Sequence, residues 1–331
     1  MIPSAPLISV VIPTINRPQL VAGAVDSALG QSLREIEVIV VIDGPDETTR
    51  RVLRAIDDPR LRVVPLAKNV GLGEARRAGT DAARGPWIAL LDDDDTWLPR
   101  KLEIQLDAAQ RSRYRLPIVT CRVVACRQSG QVVRPQRCLA QGEALSEYLF
   151  CKTRLIGGEG TILPSTLLVP RELFRDTRCR FRPVPFEGSD WLLRAIQCEG
   201  VGVEFARTPE PLAVYRCEET RARIGNSRNW REALAWGNDE ATCLTPRARA
   251  GFILNRVSFE AKRAGNAHAF WPLAREAFRR GRPRMMDLLA HTIIWLLPLK
   301  TRFSIAAFVR RRFPSHNSAD PRPHRAPINT L

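Results

Sequence analysis

The first 110 residues alternate short apolar runs with longer amphipathic stretches, and this alternation constrains the fold more than any other feature. Leu7–Ile12 (LISVVI), Glu37–Ile42 (EVIVVI), Leu61–Leu66 and Trp87–Leu91 (WIALL) are strand-length runs. Uninterrupted β-branched runs of this kind form strands buried on both faces. Between them, Pro18–Leu29 sets Leu20, Val21, Ala24, Val25 and Ala28 at helical spacing behind a proline suited to a first turn. Glu47–Ile56, the alanine-rich Gly71–Arg84 and Pro99–Arg111 read as further helices. The order βαβαβαβα predicts an α/β fold: a Rossmann-like, mostly parallel sheet with helices on both faces.

Such sheets bind ligands beyond the carboxyl ends of their strands. The polar residues there are Thr14, Asn16 and Arg17, then Asp43, then Lys68 and Asn69, then Asp92–Asp95. Four adjacent aspartates at a strand end repel one another unless a cation or hydrogen-bond donors compensate. Mg²⁺ and Mn²⁺ take carboxylate oxygens while leaving positions open for phosphate. In an extended segment Asp92 and Asp94 would project to one side. A metal-dependent phosphate or nucleoside-diphosphate site is therefore expected. The plainer alternative is a solvated acidic loop, against which the buried strand before it argues.

These segments carry a resemblance. VVIPTINR (Val10–Arg17), VIDG (Val41–Gly44), NVGLGEARRAG (Asn69–Gly79) and LLDDDDTWLPRKLEIQ (Leu90–Gln105) resemble, in order and spacing, the motifs of family 2 glycosyltransferases with the GT-A fold, of the bacterial polysaccharide and cell-wall type. STLLVPRELF (Ser165–Phe174) is similar to a further segment of bacterial members, so the resemblance covers roughly residues 1–220. It implies a nucleotide-sugar site lined by Pro13, Thr14, Asn16, Arg17, Asn69 and Arg76, with Asp43 accepting a hydrogen bond from the base, typically uracil. It implies that Asp92 contacts the ribose and that Asp94 binds a divalent Mn²⁺ or Mg²⁺ bridging the diphosphate, with Asp93 and Asp95 as register alternatives. An inverting transfer needs a carboxylate that takes the proton of the acceptor hydroxyl. The family usually supplies it from a Glu-Asp pair; here the segment is Phe186-Glu187-Gly188-Ser189-Asp190-Trp191, with Gly188 at the usual aspartate position. Glu187 or Asp190 is then the base, with Glu187 preferred, and Asp190 is alternatively only a first-turn acid of its helix.

The implied activity is metal-dependent sugar transfer from a nucleoside-diphosphate donor, a UDP-sugar, to a saccharide or lipid-linked acceptor in cell-surface glycan synthesis. Two other readings start from the same residues. Gly188 also fits a degenerate GT-A binding protein. Asp92-x-Asp94-x-Thr96 resembles the signature of haloacid-dehalogenase-like phosphatases, although that family carries the motif on its first strand.

Charge divides the chain. The 331 residues carry a net +16, but residues 1–110 hold 13 basic and 16 acidic residues. The segment 247–313 alone holds 15 basic and 3 acidic residues, and it contains the apolar stretch Leu288–Leu299 (LLAHTIIWLLPL). That pattern fits a helix lying on an anionic membrane surface, or equally a buried helix. No stretch is long enough for a spanning helix. Nucleic acid is not an expected partner, since the basic half has no aromatic stacking cluster or reader motif. The expected organisation is a GT-A domain over 1–228 (nucleotide half 1–110, acceptor half 111–228), a basic helical region over 229–314 and a disordered tail over 315–331. The loop Gly157–Gly160 is a candidate cover for the acceptor side. The eight cysteines form no CxxC pair, and MIPSAPLISVVIPT lacks the features of a secretory signal. A cytoplasmic protein with reduced thiols, peripheral on the inner face of the cell membrane, is the expectation.

Overall fold

The computed structural model describes residues 5–127, 130–154, 160–216, 229–239 and 242–297. The expected boundary at 228, the loop positions 157–159 and the tail 315–331 lie outside the described residues.

The alternating pattern folds as the residues dictate. Strands β1 (Ile8–Thr14), β2 (Ile36–Ile42), β3 (Leu61–Pro65) and β4 (Trp87–Leu90) are joined by helices α1 (Pro18–Leu29), α2 (Glu47–Arg54) and α3 (Leu72–Ala82). All seven positions of β1 and of β2 are buried, as two-sided burial of a β-branched run requires. Next come β5 (Thr96–Trp97), α4 (Lys101–Gln110), β6 (Leu116–Thr120), β7 (Arg122–Arg127), β8 (Gly130–Arg134), α5 (Leu145–Phe150), β9 (Leu168–Pro170), α6 (Glu187–Ala195), β10 (Val201–Phe205) and β11 (Pro211–Arg216). Helices α7 (Trp230–Asn238), α8 (Pro246–Gly251), α9 (Ser258–Arg263), α10 (Phe270–Arg280) and α11 (Met285–Leu296) complete the described chain.

The large sheet runs β10-β6-β9-β4-β1-β2-β3, and only β9 lies antiparallel within it. A small sheet, β5-β11-β7-β8, stands beside it. The direction of winding reverses between β1 and β4, which pair in parallel. That reversal opens a crevice where the tails of β1 and β4, carrying Thr14 and the aspartates, meet.

Beyond Pro117 the sequence reads Ile118–Cys126 as one strand and Asp190–Cys198 as a helix, and the structure changes both. Ile118–Cys126 is not one strand: β6 ends at Thr120 in the large sheet, and β7 starts at Arg122 in the small one. Both halves are β-branched, so no periodicity marks the break. The helix expected over Asp190–Cys198 starts earlier, at Glu187, behind Phe186 in the left-handed region (φ 60°). Gly188 and Ser189 are weak helix formers, so tertiary packing rather than propensity sets this start.

The two sheet faces bury different helices. Val10, Ile12, Val38 and Val40 pack with Val21 and Val25 of α1 and Leu102 and Leu106 of α4. Val11, Ile39 and Val41 pack on the other face in a core that takes in Ala75 of α3, Trp191 and Leu192 of α6, Trp236 of α7 and Phe252. The carboxy-terminal helices therefore share one continuous core with the sheet. Among the described residues the seven cysteines form no disulfide, and no helix is long and apolar enough to cross a membrane.

Candidate active site

The aspartates after β4 are not extended. The Asp95 amide donates to the Asp92 carbonyl at 3.1 Å, closing a turn that sends each carboxylate to its own partners. Asp92 meets Arg76 Nη2 at 2.6 Å. Asp93 accepts from Thr14 Oγ1 at 2.8 Å and from Arg17 Nη1 at 2.9 Å. Asp94 faces the same Arg17 nitrogen at 3.7 Å. Asp95 accepts from Ser165 Oγ at 2.6 Å and from the Arg216 amide at 3.3 Å. The side chains of Asp92 and Asp94 are 29% and 23% exposed, whereas Asp93 and Asp95 are buried. The expected extended segment is thus a turn, on which Asp92 and Asp94 are the two partly open carboxylates. Burial pushes the Asp93 carboxyl up to about 6, and raises Asp95 well above the usual range.

Arg76 joins the two ends of the cleft. It is buried on α3, with Nη2 on Asp92 and Nη1 donating to Glu187 Oε1 at 3.1 Å. Its guanidinium lies over the Phe181 ring, 5.4 Å from the centroid. Burial lifts the Glu187 carboxyl above its usual value, with Arg76 opposing. Gly73 makes the approach of Glu187 to α3 possible: a Cβ there would sit 3.2 Å from Glu187 Oε1. At Gly188 a Cβ would lie 3.0 Å from Pro164 Cγ, so a longer side chain at that position would press on Pro164.

Asp190 lies elsewhere. It is fully buried, and its two oxygens take Arg182, Arg194 (Nε at 2.9 Å) and the Trp236 indole N–H at 3.1 Å. Glu187 and Asp190 share one helix, yet only Glu187 reaches the aspartate side through Arg76. Asp43 is buried and accepts from the amides of Val70 (2.7 Å) and Gly71 (3.0 Å) ahead of α3. Asn69 caps the same turn, accepting from the Gly71 amide at 3.1 Å. Pro13 is buried in β1, and Asn16 is exposed with φ 53°, its amide donating to Asp46 at 2.6 Å. The structure therefore places two contact sets on the one aspartate turn, Thr14–Arg17–Asp93–Asp94 and Asp92–Arg76–Glu187, and leaves Asp190 outside both.

Ser165 was not singled out from sequence. Its hydroxyl accepts from the Asp92 amide at 3.1 Å and donates to Asp95, pinning both ends of the aspartate turn. Its carbonyl accepts from the Trp97 indole at 2.8 Å. The available signal was its position heading STLLVPRELF; a lone serine otherwise carries none.

Among the described residues no group of three or more His, Cys, Asp or Glu side chains is placed to hold a metal by itself. The two open carboxylates, Asp92 and Asp94, suit a hard cation that takes its other oxygens from water and phosphate.

Fold and site define an α/β domain of GT-A architecture with an acidic crevice at its topological switch point. Residues 9–166 match the profile described as Glycosyl transferase family 2. This amino-terminal part of the chain is similar to that family. Succinoglycan biosynthesis protein ExoO of Rhizobium meliloti is 37% identical over 124 residues, 38% of this chain and 36% of that protein. Putative teichuronic acid biosynthesis glycosyltransferase TuaG of Bacillus subtilis is 38% identical over 104 residues, 31% of this chain and 41% of that protein. The chain thus spans about two fifths of these relatives' length in the matched region. The crystal structure of S. aureus TarS 1–349 in complex with UDP-GlcNAc overlays with a TM-score of 0.48 at 18% identity, covering 82% of this chain and 72% of that one.

Proposed function

We propose that this chain is an inverting glycosyltransferase. It moves a sugar from a nucleoside-diphosphate donor, a UDP-sugar, to a hydroxyl of a saccharide or lipid-linked acceptor in cell-surface glycan assembly. One observation carries the reading: buried Arg76 holds a donor-side carboxylate, Asp92, and a cleft-lining carboxylate, Glu187, on one guanidinium. The names of ExoO and TuaG both refer to polysaccharide biosynthesis, and the acceptor class is extended from them.

In this reading Glu187 takes the proton of the acceptor hydroxyl as its oxygen bonds to the anomeric carbon. The bond from that carbon to the diphosphate breaks, and its electron pair leaves with the nucleotide. A base works best when its pKa lies near the working pH, and burial has moved Glu187 in that direction. Arg76 limits the rise and fixes the carboxylate's position. Arg17, between Asp93 and Asp94, supplies positive charge beside the leaving group. Each Asp43 oxygen retains a lone pair for the imide N–H of the base. Asp94, with Asp92 beside it, would hold a divalent cation that neutralises charge on the departing diphosphate.

A nucleotide-sugar panel tests this, read by Mn²⁺-dependent hydrolysis and by thermal stabilisation. A donor at a hundredfold excess over its Kd should add about 2.7 kcal/mol of stability. Asp94→Ala should abolish the metal-dependent turnover; turnover unchanged in that variant sinks the assignment. Phosphate release from sugar phosphates without any nucleotide would favour the phosphatase reading instead.

A further inference from the structure

Large apolar side chains are exposed at nine positions among the described residues, and five of them fall between 271 and 296. Trp271 (76%), Phe278 (61%), Met285 (80%) and Leu296 (74%) are the most open, with Leu289 beside them at 46%. Their spacing is helical. Trp271 and Phe278 are seven apart on α10; Met285, Leu289 and Leu296 follow one stripe of α11. The opposite faces are already occupied, by Leu273 and Ala277 on α10 and by Ala290, His291 and Ile294 on α11. Phe270 stacks on His291 at 4.6 Å and meets Trp295 edge-on at 6.0 Å. The start of α10 therefore lies against the second half of α11, as in a helical hairpin, and the two open faces belong to one unit.

Charge specifies what such a unit meets. Arg275, Arg279, Arg280, Arg282 and Arg284 are exposed on it, whereas Asp287 is buried and Glu276 is taken up by Arg279 and Arg280. An exposed tryptophan and phenylalanine among arginines are the elements of an interfacial helix: aromatic and aliphatic groups enter the headgroup boundary, and basic residues meet anionic lipid.

We propose that the α10–α11 hairpin is a docking surface for an anionic lipid bilayer. It lies in the plane of the interface, with Trp271, Phe278, Met285, Leu289 and Leu296 inserted and the arginines at the phosphate level. The surface acts whether or not the cleft transfers sugars, so it is tested by binding alone. It places the chain beside a membrane by a face that the catalytic reading does not use.

The test is co-sedimentation of the full chain with vesicles of phosphatidylglycerol and phosphatidylcholine, against phosphatidylcholine alone. Binding is expected only to the anionic vesicles and should weaken steeply with salt. Trp271→Ser with Leu296→Ser, and separately Arg275→Glu with Arg282→Glu, should each lower the partition coefficient about tenfold or more. Unchanged melting temperatures and circular dichroism would show that these exposed substitutions leave the fold intact. Three outcomes overturn the proposal. The first is equal binding to neutral and anionic vesicles. The second is binding untouched by both double variants, which would move the contact to segment 298–331. The third is a dimer that the Trp271/Leu296 variant splits, which would make the face a contact between copies.

Discussion

Two buried carboxylate–arginine networks sit at opposite ends of the first turn of α6, and their difference separates chemistry from scaffolding. In the cleft, Arg76 spans Asp92 and Glu187, and its Nε has no hydrogen-bond partner among the described residues. Asp92 and Asp94 remain partly open. In the core, Asp190 has no exposure and is surrounded by Arg182, Arg194 and Trp236. The components are the same. One network leaves lone pairs facing a crevice; the other satisfies every acceptor it buries. A saturated network fixes a helix, and an unsaturated one can exchange a partner for a ligand.

The strongest way to break this comparison is Glu187→Gln. It should cut sugar transfer by about 10²–10⁴-fold and leave donor binding and thermal stability nearly unchanged. In the parent the acid limb of the rate profile should lie above the ordinary glutamate value, and the variant should lose that limb. Asp190→Asn should do the reverse. It strips charge from a buried pair, so about 3 kcal/mol of stability goes, seen as a lower melting temperature, with activity per folded molecule retained. If Asp190→Asn instead lost turnover at full stability, the assignment of base and scaffold would be inverted.

Lys101 sharpens the point, because it is a buried ammonium without a carboxylate partner among the described residues. It donates to Gln105 Oε1 at 2.6 Å and lies 3.9 Å from the Trp97 ring centroid. Burial holds it down at about 8 against an ordinary 10.5. A base with a depressed folded pKa contributes stability above its unfolded pKa and loses it as pH falls through the folded one. Lys101→Met should therefore be more stable than the parent at pH 7 by about 1–2 kcal/mol. That advantage should shrink as pH rises from about 8 towards 10.5, measured by denaturant unfolding across pH. The smallest expected effect is Gly73→Ala. Its methyl would stand 3.2 Å from Glu187 Oε1, so turnover should drop a few-fold at unchanged donor affinity.

Much of this was legible in the residues. Strand-length β-branched runs and prolines at helix starts specified the order of β1 to β4, and that order put Thr14 and Asp92–Asp95 at strand ends. The roles of neighbouring identical residues were not legible. Four aspartates in a row look alike until a turn gives Asp92 to Arg76 and Asp95 to Ser165, residues 16 and 70 positions away. Leu288–Leu299 read equally as a buried or an interfacial helix, and α11 is buried along one stripe and open along another.

The sequence by itself determined the layer architecture, because local periodicity and β-branching act within a few residues and need no distant partner. It also determined which residue types stand at the mouth of the sheet. Only the tertiary structure decided which of those carboxylates stay open, which are locked away, and that Glu187 rather than Asp190 shares a guanidinium with the aspartate turn. Those outcomes depend on contacts made across a hundred residues or more, as between Arg76 and Glu187, where burial and a single buried cation set the chemistry of each acid.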